Sequence, residues 1–182
     1  MKSWSFLAGI VLASLLALRG DGAIVSYSGT LTGPAESPPN ASPGTGSTTV
    51  VYDSVAHTLA VDVSFSGLTA TTTAAHIHSA TAIAGTGTAG VATTTPSFTG
   101  FPLGVTAGSM SNTYDLTLSS SWNPAFVTAN GGTTATAESA LAAGLAAGRA
   151  YLNIHTSTFG GGEIRSFLLP TSPVTLVRFT AE

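Results

Sequence analysis

Cysteine is absent from this 182-residue chain. That excludes disulfides, thiolate metal ligands and a lipid-bearing N-terminal cysteine, and leaves the core alone to hold the fold together. Charge is scarce too: 5 Lys+Arg and 8 Asp+Glu make up 7% of the residues. With so few cations no basic patch forms, which argues against nucleic acid or an anionic lipid surface as a partner. The one long hydrophobic run near the start, residues 6–18, is shorter than the ~20 residues a membrane-spanning helix needs. No Gly-rich segment follows a strand and opens a helix with a lysine, so nucleotide binding has no support. Ser119, Ser120 and Ser121 lack a nearby His–acid arrangement, which argues against nucleophilic hydrolysis.

The beginning of the chain has the layout of a secretory signal peptide over residues 1–23. Lys2 supplies a positive start, the apolar run comes next, and Gly20, Gly22 and Ala23 offer small residues for cleavage. Cleavage after Gly22 or Ala23 is expected, with an uncleaved N-terminal anchor as the alternative. The expected destination is secretion, the periplasm or the cell envelope, with no membrane span in the mature form. From Ile24 onward, Arg149, Arg165 and Arg178 face Glu36, Asp53, Asp62, Asp115, Glu138, Glu163 and Glu182, a formal charge of −4.

Period-two alternation dominates the chain beyond Ala23. Residues 24–32 alternate around Ile24, Tyr27 and Leu31 and stop at Gly33-Pro34, a turn signal. The stretch 36–46 is too rich in Pro and Gly to be regular. Residues 47–52 and 57–65 read as a hairpin about Asp53-Ser54, the second strand carrying Leu59, Val61, Val63 and Phe65 on one face. A strand with His76 and His78 comes next. It leads into a Gly/Thr/Ala-rich loop with a short strand near 90–94. A strand is expected over 111–118, with Tyr114, Leu116 and Leu118 aligned and Trp122-Asn123-Pro124 closing it. Residues 136–147 are Ala-rich with Leu141 and Leu145 four apart, which predicts a short helix ended by Gly148, with Glu138 suiting the dipole at its start. Strands at 150–155 and 163–169 complete the series. The fold class is therefore all-β: an antiparallel Greek-key β-sandwich, immunoglobulin-like, with one short Ala-rich helix. Residues 24–170 form the domain and 171–182 a C-terminal tail. Trp122, Phe126, Tyr151, Phe65 and Phe167 are expected in the core.

Three of the four histidines lie on two of these strands, in His76-Ile77-His78 and Asn153-Ile154-His155. Side chains alternate across a strand, so His76 and His78 share a face and form a clamp that His155 could complete from a neighbouring strand. Imidazole suits copper or zinc, three neutral nitrogens leave an open position, and Cu(II) stands highest in the affinity order. Copper is thus expected ahead of zinc. The alternative is that the three rings bond to backbone or to one another and fix a strand corner. His57, beside a turn, reads as a surface residue. Arg165 and Glu163 lie two apart. They form either a charged lip, where Arg165 draws a small anion and Glu163 orients a ligand imidazole, or a staple in which Arg165 pairs with Glu36 or Glu163. Asn153 shares the face of His155.

The runs Leu31-Thr32-Gly33-Pro34-Ala35-Glu36-Ser37-Pro38-Pro39, Ala74-Ala75-His76-Ile77-His78, Ala150-Tyr151-Leu152-Asn153-Ile154-His155-Thr156 and Gly162-Glu163-Ile164-Arg165 resemble the CHRD (chordin) domain, in its order and over the whole length from Ile24 to Leu169. The block Asn123-Pro124-Ala125-Phe126 to Gly132 and the Ala-rich helix resemble its bacterial secreted form. The resemblance implies an extracellular binding or structural module. The Gly67-Leu68, His-x-His, Asn153-Ile154-His155 and Gly162-to-Arg165 order is also similar, more faintly, to the copper-site strands of copper–zinc superoxide dismutases. That likeness implies a superoxide-dismutase-like sandwich, copper on the matching histidines and Arg165 as anion guide. The bridging ligand, the zinc loop and the disulfide of those enzymes have no counterpart here.

Three functions remain from sequence. The first is an exported CHRD-domain binding or structural module for an unidentified extracellular ligand or protein, with a mononuclear copper site on His76, His78 and His155. The second is a copper-only, superoxide dismutase-like redox enzyme on the same ligands, with Arg165 as anion guide. The third is a metal-free adhesion or matrix domain.

Overall fold

A computed structural model of the chain describes residues 24–171. The expected signal peptide (1–23) and all but the first residue of the expected tail lie outside the described residues. The strands in chain order are β1 (Ile24–Thr32), β2 (Thr45–Asp53), β3 (Thr58–Ser66), β4 (Thr72–His78), β5 (Gly108–Asp115), β6 (Tyr151–Thr156), β7 (Ile164–Phe167) and β8 (Leu169–Pro170). They form one antiparallel sheet of order β4-β6-β7-β1-β2-β3-β5, with β8 paired to β1. The all-β, antiparallel architecture expected from the alternation is what the chain adopts.

The sheet curls around a single core. Residues 79–107 leave β4 at one edge and enter β5 at the other. On the way they run along the outer edge of β4: Ala92 N–H donates to the Ile77 carbonyl, Phe98 N–H to that of Ala75, and Thr72 N–H to that of Val105, each at 2.8 Å. An edge that would otherwise offer unpaired backbone groups is thereby covered. Inside lie Leu31, Val50, Leu59, Val61, Ile77, Leu152, Ile154 and Ile164, all fully buried. In β3 the alternation is clean, with Leu59, Val61, Val63 and Phe65 inward and Asp62 and Ser64 outward. Such a strand is buried on one face only.

Two helices complete the core: α1 (Pro124–Ala129) and α2 (Thr134–Ala146). The second is the Ala-rich helix expected from sequence, opened by a capping box in which Thr133 and Thr136 satisfy each other's backbone N–H groups. The first is an addition to the sequence reading. Asn123 caps it by accepting from Ala125 N–H, and Pro124 takes the first helical position. Leu141 and Leu145 of α2 are buried against the sheet residues, with Trp122 and Phe126 beside them.

Three local expectations change. The strand expected at 111–118 lies at Gly108–Asp115, because the chain turns at Asp115, whose carboxylate accepts from Thr117 N–H and Oγ1. Leu118 is exposed as a result. The short strand near 90–94 reduces to isolated bridges at Val91 and Thr93. Glu138 does not sit at the helix start as a dipole partner. It is buried, accepting from Tyr52 Oη at 2.9 Å and facing His57 Nδ1 at 3.0 Å, and so ties α2 to the β2–β3 turn. His57 remains half exposed at that junction, in keeping with its reading as a surface residue.

Because α2 reaches the core through few side chains, Leu145→Ala is expected to lower the unfolding free energy by about 2–5 kcal/mol, measured by urea denaturation. A loss below about 1 kcal/mol would show that α2 lies over the core without being part of it.

Candidate metal centre

Antiparallel pairing of β4 with β6 sets Ala74 opposite His155, His76 opposite Asn153 and His78 opposite Tyr151. On the other side of β6, Asn153 faces Arg165 and Tyr151 faces Phe167 of β7. Cross-strand partners point to the same face, so His76, His78, Tyr151, Asn153, His155, Arg165 and Phe167 all occupy the face opposite the apolar core. Every residue of β6 is buried nonetheless. The chain covers the polar face with loops, and those loops supply hydrogen-bond acceptors.

The pattern around the rings is uniform. His76 Nδ1 lies 3.3 Å from the Pro96 carbonyl, His78 Nδ1 2.8 Å from that of Ala89, and His155 Nδ1 3.0 Å from that of Gly160. A carbonyl only accepts, so each Nδ1 carries the proton and each Nε2 bears a lone pair. All three Nε2 atoms are buried without a hydrogen-bond partner. The rings stand close, with centroids 4.7 Å apart for His76–His78, 4.6 Å for His76–His155 and 6.0 Å for His78–His155. Their ligand atoms lie within 4.8 Å of one another, and among the described residues they form a group able to hold a metal ion. Buried polar atoms normally find partners, so three orphan lone pairs gathered this closely have the character of a ligand set. The Nδ1–carbonyl bonds are the outer support that metal-bound histidines ordinarily have.

Burial keeps the rings neutral. It lowers the His76 pKa to about 3, helped by the neighbouring His155 and His78 and opposed by the Pro96 carbonyl. Burial likewise brings His78 to about 4, against the pull of the Ala89 carbonyl, with His155 and Arg165 adding to the drop. His155 is lowered by burial, partly offset by the Gly160 carbonyl. Neutral imidazole is the form that binds metal.

Of the two arrangements open to Arg165 and Glu163, the charged lip does not form. Glu163 precedes β7 and is fully buried, accepting from Ser42 Oγ, Thr156 Oγ1 and Thr69 N–H at 2.5–2.6 Å. It serves loop anchoring and orients no imidazole. Arg165 is 3% exposed and donates from Nε to the Ala35 carbonyl at 2.5 Å and from Nη1 to the Gly87 carbonyl at 2.9 Å. Its carboxylate partner is Glu36, 3.8 Å away. Of the two readings of Arg165, the strand-to-loop staple is the one the geometry displays. Burial pushes the Glu36 carboxyl up to about 7 despite attraction to Arg165 and hydrogen bonds from Ser37 N–H and Asn153.

Like Phe167, Tyr151 is assigned to the core from sequence but lies on the site face. Its ring stacks on His78 at 4.7 Å with planes 5° apart, and the Arg165 guanidinium lies over the same ring, 4.7 Å from the centroid. Pairing with His78 across the ladder is the signal that places it, and that requires the register. The three carbonyl acceptors come from irregular loops and leave no trace in the sequence.

Fold and site together define an all-β module with a buried three-imidazole cluster on the outer sheet face. A family model described as CHRD domain matches residues 27–168, and the chain belongs to that family. No curated protein and no solved structure matches the chain. Among the described residues, no helix is long and apolar enough to cross a membrane.

The buried, neutral imidazoles make stability depend on pH. Their folded pKa values lie below the unfolded value of about 6.5, so below that pH the unfolded chain binds more protons and the native state loses ground. Glu36 acts oppositely, since its raised pKa favours the native state at low pH, but it is one group against three. Without metal, the urea midpoint should fall between pH 7 and pH 5; an unchanged midpoint would contradict neutral buried rings.

Proposed function

We propose that this chain is an exported CHRD-domain binding module that holds a single metal ion, copper ahead of zinc, on Nε2 of His76, His78 and His155. The observation that carries the reading is the set of three buried, unpartnered Nε2 atoms in a cluster whose ligand atoms lie within 4.8 Å of one another. The all-nitrogen donor set supports copper or zinc over magnesium or calcium, which take oxygen ligands. Export is supported by the positive start and apolar run within residues 1–23. The partner that fits this reading is an extracellular ligand or protein.

Binding is favoured over superoxide turnover. The anion guide of the dismutase-like alternative would have to be Arg165, and that guanidinium is committed to two carbonyls and to Tyr151. A purely adhesive domain would leave the three orphan nitrogens unexplained.

The test is metal analysis of the purified exported protein after loading and desalting. One equivalent of copper is expected in the wild type, at least about tenfold weaker retention in His78→Ala, and superoxide consumption no faster than buffer. Absence of bound metal in the folded wild type would leave adhesion; turnover lost in the variant would establish the enzyme.

A further inference from the structure

We propose that the three-histidine centre selects cuprous copper, Cu(I), over both Cu(II) and Zn(II). The inference rests on the metal-binding reading above and specifies the ion that site is built for.

Charge is the first consideration. The ligand atoms are three neutral nitrogens, with no carboxylate or thiolate among them. His76, His78 and His155 are 7%, 9% and 8% exposed, so a bound ion sheds most of its water. The cost of transferring an ion out of water grows with the square of its charge, so a divalent ion incurs about four times the monovalent penalty. Without an anionic ligand only the imidazole lone pairs offset that difference.

The surroundings push the same way. Arg165 is the charged group stacked into this layer, over the Tyr151 ring that in turn stacks on His78. Its positive charge disfavours further positive charge at the centre, and its field already contributes to holding His78 neutral. Glu36 is the opposing carboxylate, but it is the ion-pair partner of Arg165. Burial also keeps Glu36 partly protonated near neutral pH.

Coordination number is the third consideration. Cu(I) is a filled-shell ion content with three ligands, whereas Zn(II) takes four and Cu(II) a tetragonal set. The backbone oxygens beside the rings, those of Pro96, Ala89 and Gly160, already accept from Nδ1–H groups. None of these three backbone oxygens is thus left uncommitted as a fourth ligand. The donor set lacks the soft sulfur that usually favours Cu(I). The preference therefore stems from charge and coordination number rather than softness.

The experiment is chelator competition on the full exported protein. Bicinchoninate under anaerobic ascorbate reports Cu(I), nitrilotriacetate reports Cu(II), and a chromophoric zinc chelator reports Zn(II). Cu(I) is expected to bind at least about a hundredfold more tightly than Cu(II), equivalent to a copper couple raised by about 120 mV over the aqueous one. Zn(II) is expected to be outcompeted by Cu(I) to a similar degree. Cu(II) or Zn(II) bound as tightly as Cu(I) would overturn this inference while leaving a metal-binding module. Failure of all three ions to bind would overturn the reading beneath it.

Discussion

The register between β4 and β6 is the constraint on which everything else depends. Residues Ala75, Ile77, Leu152 and Ile154 are buried on one face while His76, His78, Tyr151, Asn153 and His155 occupy the other. A slip by one residue would exchange the two sets, driving imidazoles into an apolar core and isoleucines under polar loops. The core face therefore fixes the site face without any contact among the imidazoles being needed. The irregularity between Thr72 and Ala74 sets where that register begins. Thr72, almost fully buried, accepts from Gly104 N–H and donates its hydroxyl to the Pro102 carbonyl, which pins the start of the strand to the covering segment.

Burying a polar face is costly unless its groups are satisfied. Here the cover is built from segments rich in Gly and Pro, which can bring carbonyls close to side chains. Glu163 shows the fully satisfied case: three donors converge on it, and its carboxyl is held below the usual range because these bonds together outweigh the opposing effect of burial. Glu36 shows the other case, with one oxygen lacking a partner and Arg165 at 3.8 Å. Buried ion pairs of this kind add little to net stability, because desolvation offsets their attraction. Their role here is to fasten the loop after β1 onto β7, which closes the layer next to Asn153. Gly162, at φ +129°, belongs to the same closure: a Cβ there would stand 2.5 Å from the Asn153 amide and 2.7 Å from Glu36.

Legibility tracks burial. Where one face is wet, as in β3, the alternation of Leu59, Val61, Val63 and Phe65 reveals the strand and its inward side directly. The His-x-His spacing likewise fixes a shared face for His76 and His78, and the Ala-rich segment marks α2 almost to its ends. In β6, buried on both faces, alternation carries no information about which side is the core, and Tyr151 therefore reads as a core residue. Helix α1 escapes the sequence reading although Asn123-Pro124 is a cap with a first-turn proline behind it; its six residues are too few to show a period. The partner of Arg165 stays open between Glu36 and Glu163 because tertiary contacts rather than spacing along the chain decide which carboxylate approaches it. The acceptors on the three Nδ1 atoms are backbone groups, which every residue type supplies.

The segments that carry the family resemblance are scattered along the chain, at 31–39, 74–78, 150–156 and 162–165. In space they meet in one polar layer: Glu36 against Arg165, Arg165 over Tyr151, Tyr151 on His78, and His78 beside His76 and His155. All four segments lie within the matched residues 27–168, and they converge at the site. This distinguishes the layer from the hairpin of β2 and β3, which supplies core and little else. It also separates two jobs within the layer. Arg165, Glu36 and Glu163 fasten loops to the sheet through the contacts they make. The three imidazoles, by contrast, have committed only one nitrogen each to the fold, and the other is what remains for chemistry.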